Sequence, residues 1–134
     1  MLTRFTREYE DYIYLVFRVF VGLMFAQHGA QKLFGLLGEK QVELISLFGL
    51  AGVIEFFGGI LIAIGLFTRI AALFSAFNML GAWFVSHIKN GWIPIINKGE
   101  LALLYFVAFL IILVYGSKKF GLDSKFFKLP SWFS

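Results

Sequence analysis

Arg18, His28, Lys32 and Glu55 stand in or at the ends of long apolar runs. Ionisable side chains are costly to hold away from water, so each is a candidate for chemistry. At about 100° per residue, Arg18, Phe25, Gly29 and Lys32 fall within about 40° of one line on a helix, with Gly22 on the stripe and His28 at its border. Gln27 falls on roughly the opposite side. One helix face thus carries arginine, glycine, histidine and lysine.

Glu55 lies in the next apolar segment. His28 is about six residues before the end of its segment and Glu55 about seven after the start of the next, which puts both about 10 Å from the same membrane surface. A His–Glu or Lys–Glu contact between neighbouring helices is open at that depth. A carboxylate there needs a charged partner or a proton. His87, near the end of the third segment, and Glu100, at the start of the fourth, reach the same side. Asn78 sits deeper on the third.

Two readings of this set stay open. In the functional one, His28, Lys32 and Glu55, with His87 and Glu100, build a polar pocket, and His28, Glu55 and Glu100 carry protons as catalytic groups. His and Lys can donate hydrogen bonds to a quinone carbonyl, and Phe25, Phe56 and Phe57 can wall a quinone ring. In the other reading, the same residues are interhelical pairs that fix packing. Arg18 fits a structural role, snorkelling or finding Asp123 or a backbone carbonyl. Most of the 18 Phe residues face lipid or pack between helices.

The elements that must hold these residues follow from composition. The 134 residues are 60% hydrophobic and 15% charged, with a mean hydropathy of +0.84. Soluble domains are about 25% charged, and a chain this small has too much surface to hide its apolar side chains. Disorder is excluded for the same reason. Cys is absent, which excludes disulfides, thiolate metal sites and a Cys nucleophile. No phosphate loop, serine elbow or His-Glu-x-x-His occurs, and no metal site is expected. His28 and His87 would allow bis-imidazole haem ligation, but His87 falls at the interface beside Lys89, and no haem is expected.

A span needs about 20 apolar residues. Spans are expected at 12–34, 48–67, 69–88 and 100–116, forming one all-α domain over residues 1–134, a transmembrane four-helix bundle. Arg4, Arg7, Arg69, Lys118, Lys119, Lys125 and Lys128 would share one face, against Lys32, Lys40, Lys89 and Lys98 on the other. That asymmetry places both termini in the cytoplasm, in a multi-pass protein of the cell membrane. The net charge of +4 therefore reads as topology, and no nucleic-acid partner is expected, since the basic residues do not form a continuous groove. A secretory leader is the weaker reading of the first segment, which opens on Glu8, Glu10 and Asp11 and shows no small-residue cleavage site. Rows of small residues (Gly22, Ala26 and Ala30; Ala51, Gly59 and Ala63) let helices approach closely within the lipid bilayer, and allow a homodimer. Trp92 and Pro94 in a loop, and Phe126, Phe127, Trp132 and Phe133 in the tail, read as interfacial anchors.

The ordered set Arg18…Gly22…Phe25…His28-Gly29…Lys32-Leu33-Phe34-Gly35, Ile54-Glu55-Phe56…Gly58-Gly59…Gly65-Leu66…Thr68-Arg69, Gly99-Glu100…Leu103-Leu104 and Gly116…Gly121-Leu122-Asp123 resembles the DoxX family of four-span membrane proteins. The resemblance covers about residues 12–123. The tail departs from the family's usual Gly-x-Gly and Ser-Leu-Asp. The family is similar to the membrane subunit of a thiosulfate–quinone oxidoreductase, and relatives are linked to redox or envelope complexes. The resemblance thus implies a quinone-linked redox subunit, with quinone as cofactor and a protein partner or outside electron donor. A non-catalytic anchor or assembly factor for an envelope partner is the alternative, and a small-molecule or ion carrier a further one.

Overall fold

The computed structural model describes residues 2–127, 130 and 132. Every element among them is helical: α1 (Leu2–Phe34), α2 (Leu47–Ile64), α3 (Thr68–Ala82), the short α4 (Pro94–Asn97) and α5 (Glu100–Tyr115). Three stretches are long and apolar enough to cross a membrane, Thr3–Phe34, Leu47–Ile64 and Thr68–Asn90, and α5 is a shorter apolar helix of 16 residues. The chain is an integral membrane protein. Its lipid-facing character shows in the many exposed Phe, Leu, Ile and Val side chains along all four long helices.

Helix α1 begins ten residues before the expected span. It has 33 residues, about 50 Å at 1.5 Å per residue, which exceeds the roughly 30 Å of a bilayer's hydrocarbon core. Helix α2 stops three residues earlier than expected. Gly65 takes the left-handed conformation (φ 73°) and turns its N–H back onto Leu61 and Ile62, the usual way glycine ends a helix. At the other end, Ser46 caps α2 by accepting the Gly49 N–H at 3.0 Å. Helix α3 runs on through a π-helical turn (Trp83–His87) and a 3-10 turn (Ile88–Asn90). The loop after it is folded by Asn97, whose amide donates to the Gly91 carbonyl and whose Oδ1 accepts from the Gly99 N–H.

Small residues dictate the packing. A Cβ on Gly22 would lie 2.6 Å from the Gly59 carbonyl oxygen, and one on Gly29 would lie 2.6 Å from Phe56 Cα and 2.7 Å from the Gly52 oxygen. The chain indices rise on α1 as they fall on α2, so the two helices are antiparallel with backbones touching. Helix α3 packs on α5 and on α2. Helices α1 and α5 meet through large side chains, with the Phe25 ring 4.6 Å from Phe109 and 5.3 Å from Tyr105. Phe25, Ile62, Ala72, Phe109 and Ile112 form the centre of the core.

Of the predicted anchors, Trp92, Phe126 and Trp132 are exposed. Phe133, Lys128 and the side chain of Phe127 lie outside the described residues.

Candidate functional site

A half-open cavity of about 570 Å³ lies between the four long helices, in the half of the bundle away from the chain ends. Helix α1 contributes Phe25, His28 and Lys32, and α2 contributes Phe48, Ala51, Ile54 and Glu55. From α3 and the turn after it come Phe74, Phe77, Asn78, Met79, Ser86 and His87, and from α5 Leu101, Ala102 and Tyr105, with Lys98 just before it.

Glu55 is the focus. Its residue is 1% exposed. Lys32 Nζ lies 2.5 Å from Oε1, and Asn78 Nδ2 donates to the same oxygen at 3.3 Å. The carboxylate thereby ties α1, α2 and α3 together. Its second oxygen, Oε2, is buried with no hydrogen-bond partner. The close approach of α1 and α2 brings Lys32 within reach: a Cβ on Gly52 would lie 3.0 Å from Lys32 Cβ. The expected Lys–Glu contact is therefore present, on adjacent antiparallel helices.

His28 lines the cavity with its ring edge-on to Tyr105, centroids 5.9 Å apart. His87 also lines it, and its Nδ1 lies 3.2 Å from the Asn97 carbonyl oxygen. Glu100 is exposed at the start of α5 and is not among the lining residues. Phe25 is fully buried and forms part of the wall. Phe56 and Phe57 point elsewhere, with the Phe56 ring edge-to-face against both Phe57 and Phe34, because they lie about 100° and 200° around α2 from Glu55. Phe48, Phe74 and Phe77 take their place.

Arg18 is buried far from this cavity. Its Nη1 donates to the carbonyls of Ile62 (2.6 Å) and Ala63 (3.2 Å), and Nη2 donates to Phe120 (3.3 Å). It satisfies the orphan carbonyls at the end of α2, where positive charge is also favoured by the helix dipole.

Tyr105 was not singled out from the sequence. Its hydroxyl is buried and lacks a partner. A signal was present: within Leu101–Val114 it is the one side chain with a polar atom. Ser75, whose Oγ is likewise buried without a partner, lies on α3 one turn below Asn78. Among the described residues no group of three or more His, Asp or Glu is placed to hold a metal.

The DoxX family profile matches residues 13–88, the stretch that carries His28, Lys32, Glu55 and Asn78. This chain belongs to the DoxX family. An uncharacterized protein of Haemophilus influenzae is 38% identical over 128 residues, spanning 90% of this chain and 96% of its own length. A Bacillus subtilis protein named "Putative oxidoreductase CatD" is 30% identical over 124 residues, spanning 85% of this chain and 87% of its own. No solved structure matches the chain. In this DoxX protein the His-Gly-x-x-Lys and Ile-Glu-Phe segments meet at one wall of the cavity.

Proposed function

We propose that this DoxX protein is a membrane subunit of a quinone-linked redox complex and that the cavity holds the quinone head group. In this reading four helices cross the cytoplasmic membrane with both termini in the cytoplasm, and the cavity lies in the outer half of the bilayer. The observation that carries the reading is Glu55: a buried carboxylate with one free oxygen, on the wall of a largely apolar cavity. Small-molecule sites have volumes of about 300–1,000 Å³ and pair apolar walls with a few placed polar groups. The cavity fits that description. The name of the Bacillus subtilis relative supports oxidoreduction.

A quinone supplies a two-electron, two-proton couple. The chain supplies the enclosure: Phe25, Phe48, Phe74 and Phe77 for the ring, and Lys32, His28 and Glu55 to hold hydrogen bonds and protons at its oxygens. With no Cys and no cofactor-binding motif in the sequence, the electrons must come from a partner subunit or an outside donor; sulfur-compound oxidation is one such source.

The Lys32–Glu55 pair also joins α1 to α2, which favours the second reading, a non-catalytic anchor for an envelope partner. One experiment separates the two. Quinone binding is measured on purified protein in lipid nanodiscs for wild type, Glu55→Gln, His28→Ala and the charge-swapped Lys32→Glu/Glu55→Lys double variant. The redox reading predicts binding by wild type, weaker binding by both single variants, and no recovery of binding in the swap even where stability returns. Wild type that binds no quinone overturns it.

A further inference from the structure

Two unpartnered oxygens sit on residues that share the cavity. Glu55 Oε1 is taken by Lys32 and Asn78, while Oε2 has no partner. The Tyr105 hydroxyl has none either. Both residues line the cavity and are at most 5% exposed. The Tyr105 ring is held between Phe25, His28 and Phe109, the last stacked on it at 5.8 Å, so the hydroxyl is fixed in place.

The chemistry of these oxygens is asymmetric. A carboxylate paired with an ammonium only accepts hydrogen bonds, whereas a phenol hydroxyl both donates and accepts. The donors that face Glu55, Lys32 Nζ and Asn78 Nδ2, are both directed to the other oxygen. What the site lacks is a donor for Oε2. An oxidised quinone offers carbonyl acceptors alone and would set one acceptor against another. A quinol brings an O–H for Glu55 Oε2, and the same oxygen can accept from Tyr105. His28 does not discriminate, because a neutral imidazole carries one donor and one acceptor nitrogen.

Building on the quinone reading above, we propose that the cavity selects the reduced, hydroxyl-bearing quinol over the oxidised quinone through Glu55 Oε2, with the Tyr105 hydroxyl able to pair with the ligand oxygen in either state. Tighter quinol binding raises the midpoint potential of the bound couple by about 30 mV for each tenfold preference, as for any two-electron couple. The site would thereby make bound quinone a better electron acceptor.

The test compares decylubiquinone with decylubiquinol, kept reduced under argon, in equilibrium binding to nanodisc-embedded protein, with partition into empty nanodiscs subtracted. Wild type is expected to hold the quinol about tenfold tighter or more, the scale of a hydrogen bond to a charged group. Glu55→Gln, whose amide donates as well as accepts, should abolish the preference. Tyr105→Phe keeps the ring contacts and should weaken both forms alike, leaving the preference in place, and the wild-type comparison carries the test where Glu55→Gln does not fold. Equal or tighter binding of the quinone by wild type overturns the proposal and leaves the quinone reading standing, as does a preference that survives in folded Glu55→Gln. Binding of neither form overturns both.

Discussion

Asp123 caps a helix that begins 55 residues before it. Its Oδ1 accepts the Phe67 N–H at 2.9 Å, and its Oδ2 accepts the Thr68 N–H and hydroxyl, both at 3.3 Å. Helix α3 has no side-chain cap of its own, and Phe67 at its start is left-handed (φ 48°). Arg18 holds the other side of the same turn through the last carbonyls of α2. Gly65 lies between them, where a Cβ would meet both Arg18 Nη1 and Gly121 Cα at 2.5 Å. This clamp sets how α2 and α3 diverge, and so where Glu55 meets Asn78 further along.

Asp123→Ala should lower stability by about 1–3 kcal/mol, since it strips a cap and leaves buried N–H groups unpaired. Asp123→Asn keeps an acceptor oxygen and should lose less. Thermal unfolding in detergent checks this; a Tm unchanged in the alanine variant would contradict it.

Arg18→Lys should also destabilise, because one ammonium cannot reach the three carbonyls that the planar fork spans. Arg18 does not line the cavity. Protein that still folds should therefore bind cavity ligand as wild type does, which paired Tm and ligand titrations would reveal.

Gly29→Ala forces a methyl into the backbone of α2 and should cost about 1–3 kcal/mol, as overpacking does. Gly81→Ala meets nothing within 4 Å and should be neutral or stabilising by up to about 1 kcal/mol through helix propensity. The yield and Tm of the two variants should diverge; similar losses would contradict the close-approach account.

Asp11 on α1 pairs with Lys119 at 2.6 Å and Lys118 at 3.4 Å. The Lys119 ammonium, with Lys118, holds its carboxyl below the ordinary 3.8. The folded value is depressed, so the contribution is present above pH 3.8 and is lost as pH falls through the folded value. The pair lies before the expected span at 12–34, with the Lys119 and Asp11 side chains 64% and 31% exposed, so salt should screen most of it. Asp11→Asn should leave Tm near wild type at neutral pH, and any difference should vanish in acid or high salt.

The helices and the Lys32–Glu55 contact were legible because they follow from hydrophobic length and helical periodicity. Phe56 and Phe57 stand beside Glu55 in sequence, but helical periodicity turns them about 100° and 200° away from it, and which aromatic rings line the cavity instead depends on how α3 and α5 pack, which no local pattern encodes. Tyr105 carried a signal, one hydroxyl in an apolar run, but its meaning needed the facing His28 and Phe25. The Asp123 cap was invisible as a cap, since its helix is remote in sequence. The early end of α2 was signalled by Gly65, yet the apolar run through Leu66 and Phe67 hid it.

The cavity as a quinone site is tested most directly by photo-crosslinking. An azido-quinone is activated with the protein in nanodiscs, and the labelled peptides are mapped by mass spectrometry, with and without excess unmodified quinol. The account predicts competable label on segments 25–32, 47–55, 74–87 and 98–105. Label confined to the exposed lipid-facing side chains, or label that excess quinol does not displace, would contradict it.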